Sequence, residues 1–285
     1  MQEFDKLWNY NDPAGTEVKF REVLGQYSTG DNPSGHLQLL TQIARTYSLR
    51  RMFDDAHATL NEVEQQLRTT PEVAHVRYHL ERGRSFNSAG NKAEANKHFV
   101  QARDIAKALG EDFYAIDAIH MLAITATPDE AIKLNEEGVV YAEQSTDARA
   151  KNWLGSLYNN LGWSYFDLGA YDKALSVFLR ALKWREEKQS AHELFLAKWC
   201  VARTLRALGR LDDAIKIQLS LLEQMIDIGP TDGYVYEELG ELYLAKGEDV
   251  SKMYFQFAYN ELSKDAWLAA NEPKRLERMK LLAEK

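Results

Sequence analysis

The sequence is poor in cysteine and in proline. Among its 285 residues there is one cysteine, Cys200, and there are six prolines. A single cysteine excludes an internal disulfide framework, and one thiol cannot by itself form a cysteine-based zinc site. We therefore expect a protein of a reducing compartment, which we assign to the cytoplasm.

Long hydrophobic runs and an excess of positive charge are also absent. No stretch approaches about eighteen apolar residues without a charge, so we expect no membrane-spanning segment. Residues 1–6 lack the basic and apolar pattern of a secretory signal. The formal net charge is −8 at pH 7. Because the negatively charged backbone of a nucleic acid would repel such a chain, we do not expect nucleic acid as a partner. We expect no membrane partner either.

Alternating strand patterns of useful length are missing too, and the sequence instead carries a repeated helical pattern. Its clearest copy combines an aromatic residue, Leu-Gly and a tyrosine on one helical stripe with small and aromatic residues on the next helix. These residues are Tyr158, Leu161, Gly162, Tyr165, Ala174, Phe178 and Ala181. The pattern resembles the tetratricopeptide repeat (TPR), whose signature has the same residue types in the same order.

The pattern recurs along the chain. The small residue that opens the second helix of each pair falls at positions 56, 95, 131, 174 and 214, so the intervals are 39, 36, 43 and 40 residues. A sixth copy has Lys252 in place of the small residue. This long period is similar to that of the kinesin-light-chain-like and peptide-sensor branches of the TPR superfamily.

The resemblance implies an all-α fold, a right-handed superhelical α-solenoid of about six helix hairpins. Residues 37–265 are expected to form the TPR array. Residues 1–36 are expected to form a degenerate hairpin, with Pro13 in the first turn of a helix, and a linker that includes a loop from Ser28 to Gly35. Residues 266–285 are expected to hold a charged capping helix. Because each hairpin buries its face only against its neighbours, we expect one cooperative domain.

Side chains that could carry catalysis or bind a metal are few and scattered. His75 and His79 have a spacing that places two ligands on one helix face, but zinc needs a third ligand and His79 occupies a packing position. Cys200 has a histidine, His192, about two helical turns away, yet a buried or groove-lining thiol is the commoner state. Residues 25–35 hold three glycines without the Gly-Lys-Ser/Thr of a phosphate-binding loop. We therefore expect a non-enzymatic protein without metal or cofactor.

In the TPR family the first helix of each repeat lines a concave groove, and the resemblance implies the binding residues here. Arginines recur in repeats one, two and five, aromatic rings cluster in the middle, and acids collect in the last repeat. The implied groove residues are Arg45, Arg77, Arg84, Asn159, Asn160, Trp163, Phe166, Trp199, Arg203, Arg206, Glu237 and Glu241. The alternatives are that Trp163 and Trp199 belong to the inter-repeat core, and that the arginines are solvated or paired with acids of a neighbouring repeat.

The leading hypothesis is a scaffold that binds an extended peptide or helix in the concave groove. Because arginine presents a planar fork of donors suited to carboxylates, we expect a protein or peptide partner with an acidic segment and an apolar anchor. Two alternatives remain open: a regulator that senses a small peptide, and a structural subunit that forms a homodimer through its end helices. The co-chaperone type of TPR is disfavoured, because Leu196 and Cys200 stand where its basic residues would be.

Overall fold

A computed structural model describes residues 2–27, 33–188, 191–228 and 232–284 of the chain. Within these ranges every regular element is a helix. None of these helices combines enough length with enough apolar character to cross a bilayer. The contacts divide the chain into two compact units, Met1–Leu157 and Tyr158–Lys285.

The first unit begins with a short 3₁₀ helix and continues with paired α-helices. The 3₁₀ helix spans Glu3–Leu7, and the α-helices are α1 Pro13–Tyr27, α2 Pro33–Leu49, α3 Phe53–Gln66, α4 Val73–Ser88, α5 Lys92–Leu109, α6 Asp112–Thr125, α7 Pro128–Gln144 and α8 Ala148–Lys151. Successive helices α2/α3, α4/α5 and α6/α7 pack as hairpins. The first helices α2 and α4, and likewise α4 and α6, also touch each other. Of the expected loop Ser28 to Gly35, residues 28–32 lie outside the described part of the chain.

The second unit repeats the same architecture. Its helices are α9 Leu154–Asp167, which starts at the end of the first unit, α10 Tyr171–Lys188, α11 Ala191–Ala207, α12 Leu211–Ile228, α13 Gly233–Lys246, α14 Val250–Leu262, α15 Ala266–Asn271 and α16 Pro273–Glu284. The pairs α9/α10, α11/α12 and α13/α14 complete six hairpins. The all-α fold class and the solenoid of helix hairpins are therefore confirmed. A single cooperative array remains a prediction.

Each hairpin turns within a few residues, and the α9–α10 turn shows how. Gly169 ends α9 with φ +73°, a left-handed conformation that glycine adopts at little cost. Its N–H donates to the carbonyl of Phe166, and the N–H of Ala170 donates to that of Tyr165. These two bonds satisfy carbonyls that the end of a helix leaves without an intrahelical donor.

The two helices of a hairpin approach closely where a glycine of the first meets a phenylalanine of the second. A Cβ atom at Gly162 would lie 2.4 Å from Cε1 of Phe178, whose side chain is almost fully buried. The same pairing joins Gly83 to Phe99 and Gly240 to Phe255. The Leu-Gly of the repeat signature is therefore required by packing, since the aromatic ring occupies the space of a side chain.

The ends of the array are covered by additional helices. At the N-terminus the side chains of Phe4 and Phe20 are buried against α2 residues such as Leu39. At the C-terminus α16 packs on α14 and buries Leu276 and Met279. Both segments supply the apolar neighbour that a terminal hairpin otherwise lacks.

Replacing Gly162 tests the close helix contact. Gly162→Ala places a methyl group inside the ring of Phe178, so we expect a loss of about 1–3 kcal/mol in the free energy of unfolding. Gly25→Ala is the matched control, because nothing lies within 4 Å of a Cβ there, and it should be neutral or stabilise by up to about 1 kcal/mol. Urea unfolding measures both. Equal stability of the two variants would contradict the packing role.

Candidate functional site

The first unit contains a cavity of about 400 Å³ that faces the first helices of its hairpins. Its walls combine guanidinium groups with aromatic rings. We call it the arginine pocket and define it by Arg45, Arg77, Arg84, Arg149, Trp8, Tyr10, Phe113 and Trp153. These residues come from the N-terminal segment, α2, α4, α6 and the α8 region, so the cavity exists only because distant segments meet.

Arg77 forms the most deeply buried wall of the arginine pocket. Only 4% of the residue is exposed, and both terminal nitrogens donate to the carboxylate of Asp5, at 2.6 and 3.1 Å. The same guanidinium group donates to the hydroxyl of Tyr114 at 3.2 Å and lies 5.3 Å from the ring centroid of Phe4. Burial opposes its charge, but Asp5 raises the pKa of Arg77 above its ordinary value. Arg77 therefore anchors the N-terminal segment to α4.

A second chain of ion pairs crosses the arginine pocket. Arg45 donates to Glu81 at 3.0 Å, Glu81 also accepts from Arg84 at 2.7 Å, and Arg84 pairs with Asp117. Burial alone would raise the pKa of Glu81, yet the charges of Arg45 and Arg84 lower it below its usual value. Asp117 and Glu81 likewise overcome burial and raise the pKa of Arg84. Glu81 and Arg84 are thus charged at neutral pH.

Aromatic rings form the remaining walls of the arginine pocket. Trp8 and Tyr10 are stacked with centroids 4.7 Å apart and an interplanar angle of 4°, and Nε1 of Trp8 donates to Gln42 at 3.0 Å. Phe113 and Trp153 also line the pocket, with ring centroids 6.1 Å apart. The pocket therefore offers apolar faces as well as charge.

Three buried donors of the arginine pocket have no hydrogen-bond acceptor. They are Nε of Arg45, Nε of Arg77 and Nε1 of Trp153. A buried polar group left without a partner costs about 1–3 kcal/mol. No buried side-chain acceptor of the lining residues lacks a partner, so the region is short of acceptors.

The second unit presents a different surface, which we call the aromatic face and define by Trp163, Phe166, Trp199 and Arg203. The ring centroid of Trp163 lies 5.2 Å from that of Phe166 and 6.2 Å from that of Trp199. All three rings are half-buried. The ring centroid of Trp163 also lies 5.3 Å from that of the core residue Phe178. Trp163 thus packs against the core and is still partly exposed.

Arg203 lies on this aromatic face with few polar contacts of its own. Its guanidinium carbon lies 5.3 Å from the ring centroid of Phe166, and its Nε is 3.6 Å from Glu238. Glu238 is already held by Arg206, at 2.5 and 3.2 Å. Burial lowers the pKa of Arg203, and Glu238 only partly offsets this effect. Arg203 is therefore an incompletely compensated cation beside aromatic rings.

The acids expected at the far end of the groove are engaged by the last helix. Glu237 accepts from Arg275 at 2.8 and 2.5 Å, and Glu241 pairs with Arg278. The repeat pattern gives no indication of these pairs, because both arginines lie outside the repeats. The carboxylates thus fasten α16 to α13.

The proposed groove residues therefore fall into separate groups. Arg45, Arg77 and Arg84 meet in the arginine pocket of the first unit. Trp163, Phe166, Trp199 and Arg203 meet in the second, where Arg206 adjoins them through Glu238. Asn159 is exposed and Asn160 half-buried on α9. The distance between Asn159 Oδ1 and the thiol of Cys200 is 4.0 Å.

Sequence reasoning missed several residues of the arginine pocket. Asp5, Trp8 and Tyr10 lie before the first repeat, and Arg149 and Trp153 lie between repeats three and four. The Trp-Asn-Tyr run at positions 8–10 was the one available signal, since clustered aromatic residues in a polar segment must pack on something. Nothing in the pattern of repeats indicates what they contact.

The histidines considered as metal ligands have separate structural roles. Nδ1 of His75 accepts from the backbone N–H of Glu72 at 3.2 Å, which caps α4. His79 instead contacts His98, with 3.0 Å between their Nδ1 atoms. In the described ranges no group of three or more His, Cys, Asp or Glu side chains is arranged to hold a metal ion.

Cys200 lies on the buried side of α11. Burial raises the pKa of its thiol to about 12. The thiolate is the nucleophilic form, and the raised pKa disfavours it at neutral pH. Cys200 packs as a small apolar residue.

Comparison with known families identifies the repeat. The family model for the tetratricopeptide repeat matches residues 155–188, the hairpin α9/α10 with its Gly162–Phe178 contact. The chain contains a tetratricopeptide repeat. The resemblance seen in residues 158–181 is thereby confirmed. A comparison with curated protein sequences gives no match.

Solved structures share the fold of this chain at low sequence identity. A signal transduction ATPase with numerous domains and a tetratricopeptide-repeat sensor, from Pyrococcus horikoshii, has a TM-score of 0.76 and 15% identity, over 93% of this chain and 42% of that one. The apo form of RapI has a TM-score of 0.75 and 11% identity, over 96% and 83% of the two chains. NprR in complex with its cognate peptide NprX has a TM-score of 0.51 and 14% identity, over 95% and 79%. This chain spans less than half the length of the ATPase.

The histidines of the hairpin α4/α5 predict an acid-sensitive fold. Burial, reinforced by the charges of His98, His75 and Arg82, lowers the pKa of His79 to about 4. The unfolded chain binds a proton at this histidine more readily than the folded chain does. The contribution of His79 to the free energy of unfolding is therefore fully present above about pH 6.5 and falls by about 3 kcal/mol as the pH drops to 4. We expect His79→Gln to reduce this pH dependence, as measured by urea unfolding at pH 7.5 and 4.5.

The exposed His192 supplies the matched control, and His192→Gln should keep the pH dependence of the parent chain. If His79→Gln loses as much stability on acidification as the parent, then His79 is not the group responsible.

Proposed function

We propose that this TPR protein is a non-catalytic cytoplasmic scaffold that binds an extended partner segment along the first helices of its hairpins. The observation that carries the proposal is the aromatic face of the second unit. There Trp163, Phe166 and Trp199 keep part of their surface exposed side by side. Large aromatic side chains in such an arrangement dominate binding energies at protein interfaces.

The charge beside these rings defines the partner further. Arg203 is stacked on Phe166 and lies 3.6 Å from a carboxylate already held by Arg206. An acidic group from outside would complete its hydrogen bonding, and arginine suits carboxylates because its donors form a planar fork. We therefore propose a partner segment that pairs an apolar anchor with an acidic residue.

The structural relatives are consistent with peptide recognition. NprR, which shares the fold, is bound to its cognate peptide, and the Pyrococcus ATPase uses its repeats as a sensor. The second function we consider is accordingly a regulator that senses a small peptide. A homodimer through the end helices is a third, since Trp267 and Leu281 are 62% and 50% exposed there.

Selection of displayed random peptides on the intact chain tests the proposal. We expect enriched peptides to share an acidic and a large apolar residue. Trp199→Ala should weaken their binding by about 2 kcal/mol or more, because the anchor loses its contact surface. Trp267→Ala is the matched control, since this exposed indole lies on α15 outside the aromatic face, and it should bind normally. Calorimetry gives the affinities and thermal unfolding verifies the fold.

Selected peptides that bind both tryptophan variants equally well would contradict the proposed surface. Failure to enrich any peptide, together with a stable dimer in light scattering, would favour the self-associating alternative.

The role of Arg203 predicts an effect on the rate of association. Charges at the edge of an interface act mainly on the association rate and are screened by salt. We expect Arg203→Gln to slow association with a selected acidic peptide and to reduce its dependence on salt. Arg210→Gln, which removes an exposed arginine paired with Asp213, is the control. Stopped-flow fluorescence at two ionic strengths measures the rates, and an unchanged rate in Arg203→Gln would exclude its contact with the acid.

A further inference from the structure

We propose that the arginine pocket of the first unit binds one carboxylate that is attached to an aromatic or large aliphatic group. The inference rests on the proposed function and deepens it, because it assigns a subsite within the first unit to a ligand of the same chemistry. A peptide's terminal carboxylate, an acidic side chain beside an apolar one, and a free organic acid share this chemistry.

The hydrogen-bonding state of the pocket favours a ligand that brings acceptors. Arg45, Arg77 and Trp153 each have a buried N–H without a partner. Arg77 is 96% buried, so an N–H of this residue that lacks an acceptor is costly. Carboxylate oxygens are acceptors only, so they supply what these donors lack.

The charge of the pocket favours a single negative charge. Four guanidinium groups line it, against the three carboxylates of Asp5, Glu81 and Asp117. The fourth guanidinium, Arg149, pairs at the edge with Asp147 at 3.1 Å, and both side chains are about one-third exposed, so water screens this pair. A dianion such as a phosphate monoester would bring the negative charges in the pocket to five, counting Asp5, Glu81 and Asp117, against four guanidinium groups.

The remaining walls fit an apolar group next to the carboxylate. The lining includes the stacked rings of Trp8 and Tyr10 and the ring pair of Phe113 and Trp153. The cavity of about 400 Å³ is small for a binding pocket. It suits one large side chain with its carboxylate better than a long segment.

The probe for this subsite is N-acetyl-L-phenylalanine, titrated into the intact protein. Binding is followed by the ¹⁵N-indole resonance of Trp153, which is assigned as the peak that disappears in Trp153→Phe. A ligand of this size binds with a dissociation constant in about the millimolar range. We expect the Trp153 resonance to shift with saturation.

Three further probes define the ligand. N-acetyl-L-phenylalaninamide, which lacks the carboxylate, and phenyl phosphate, a dianion, should each bind at least about tenfold more weakly. N-acetyl-Asp-Phe-amide carries its carboxylate on a side chain. If this peptide binds with the same affinity as N-acetylphenylalanine, the subsite accepts acidic side chains within a peptide. If its affinity is lower, the subsite prefers a terminal carboxylate. Either result supports the inference.

Variants at the edge of the pocket test its location. Arg149→Gln should weaken N-acetylphenylalanine about fivefold or more, whereas Arg278→Gln, on α16 of the second unit, should leave its affinity unchanged. Tyr10→Ala removes a ring that is 60% exposed and should weaken binding about threefold. This variant tests the location of the ligand independently if Arg149→Gln unfolds.

The inference is overturned if the amide or phenyl phosphate binds as tightly as the acid, or if the Trp153 resonance is unmoved at saturating acid. It is also overturned if Arg149→Gln and Tyr10→Ala, both folded, bind like the parent. These outcomes can be distinguished from failure of the proposed function, because that function is tested by the effect of Trp199→Ala, in the second unit, on the binding of the displayed peptides.

Discussion

In three of the hairpins, the contact between a glycine on the first helix and a phenylalanine on the second is the constraint on which the packing depends. At Gly162 a Cβ would lie 2.4 Å from the Phe178 ring, and the same contact recurs in two other hairpins. It sets how closely the two helices approach, and therefore which residues remain on the outer side of the first helix. The site residues that belong to first helices lie on this outer side, because the opposite face is occupied by the packing.

Ion pairs between consecutive first helices add a second constraint. Arg45 of α2 pairs with Glu81 of α4, Arg84 of α4 with Asp117 of α6, and Arg206 of α11 with Glu238 of α13. Losing one partner of such a buried pair leaves an uncompensated charge, which is strongly unfavourable. These arginines are thus paired with a neighbouring repeat, as one sequence-based alternative held, and they nevertheless line the surface proposed to bind a partner. Arg203 differs because its nearest acid is already taken.

The arginine pocket depends on segments outside the repeats. Asp5 reaches Arg77 across 72 positions in the sequence, and the Trp8–Tyr10 stack closes one wall. The degenerate N-terminal segment therefore does more than cover the first hairpin, since it supplies both an acid and aromatic surface to α2 and α4. At the other end α16 neutralises Glu237 and Glu241, so the acid row predicted from the repeats is an attachment point for this helix.

The sequence by itself determined the helix hairpins, their glycine turns and the helices at both ends, because these follow from local periodicity, small residues at close contacts and helix-terminal residues. It also placed Trp163, Phe166 and Trp199 on first helices. Only the tertiary structure decided that Asp5, Trp8 and Trp153 join Arg45, Arg77 and Arg84 in one pocket. The physical reason is that ion-pair partners and ring contacts are chosen by distance in space, whereas a repeat pattern records only the contacts that each hairpin makes with itself and its neighbours.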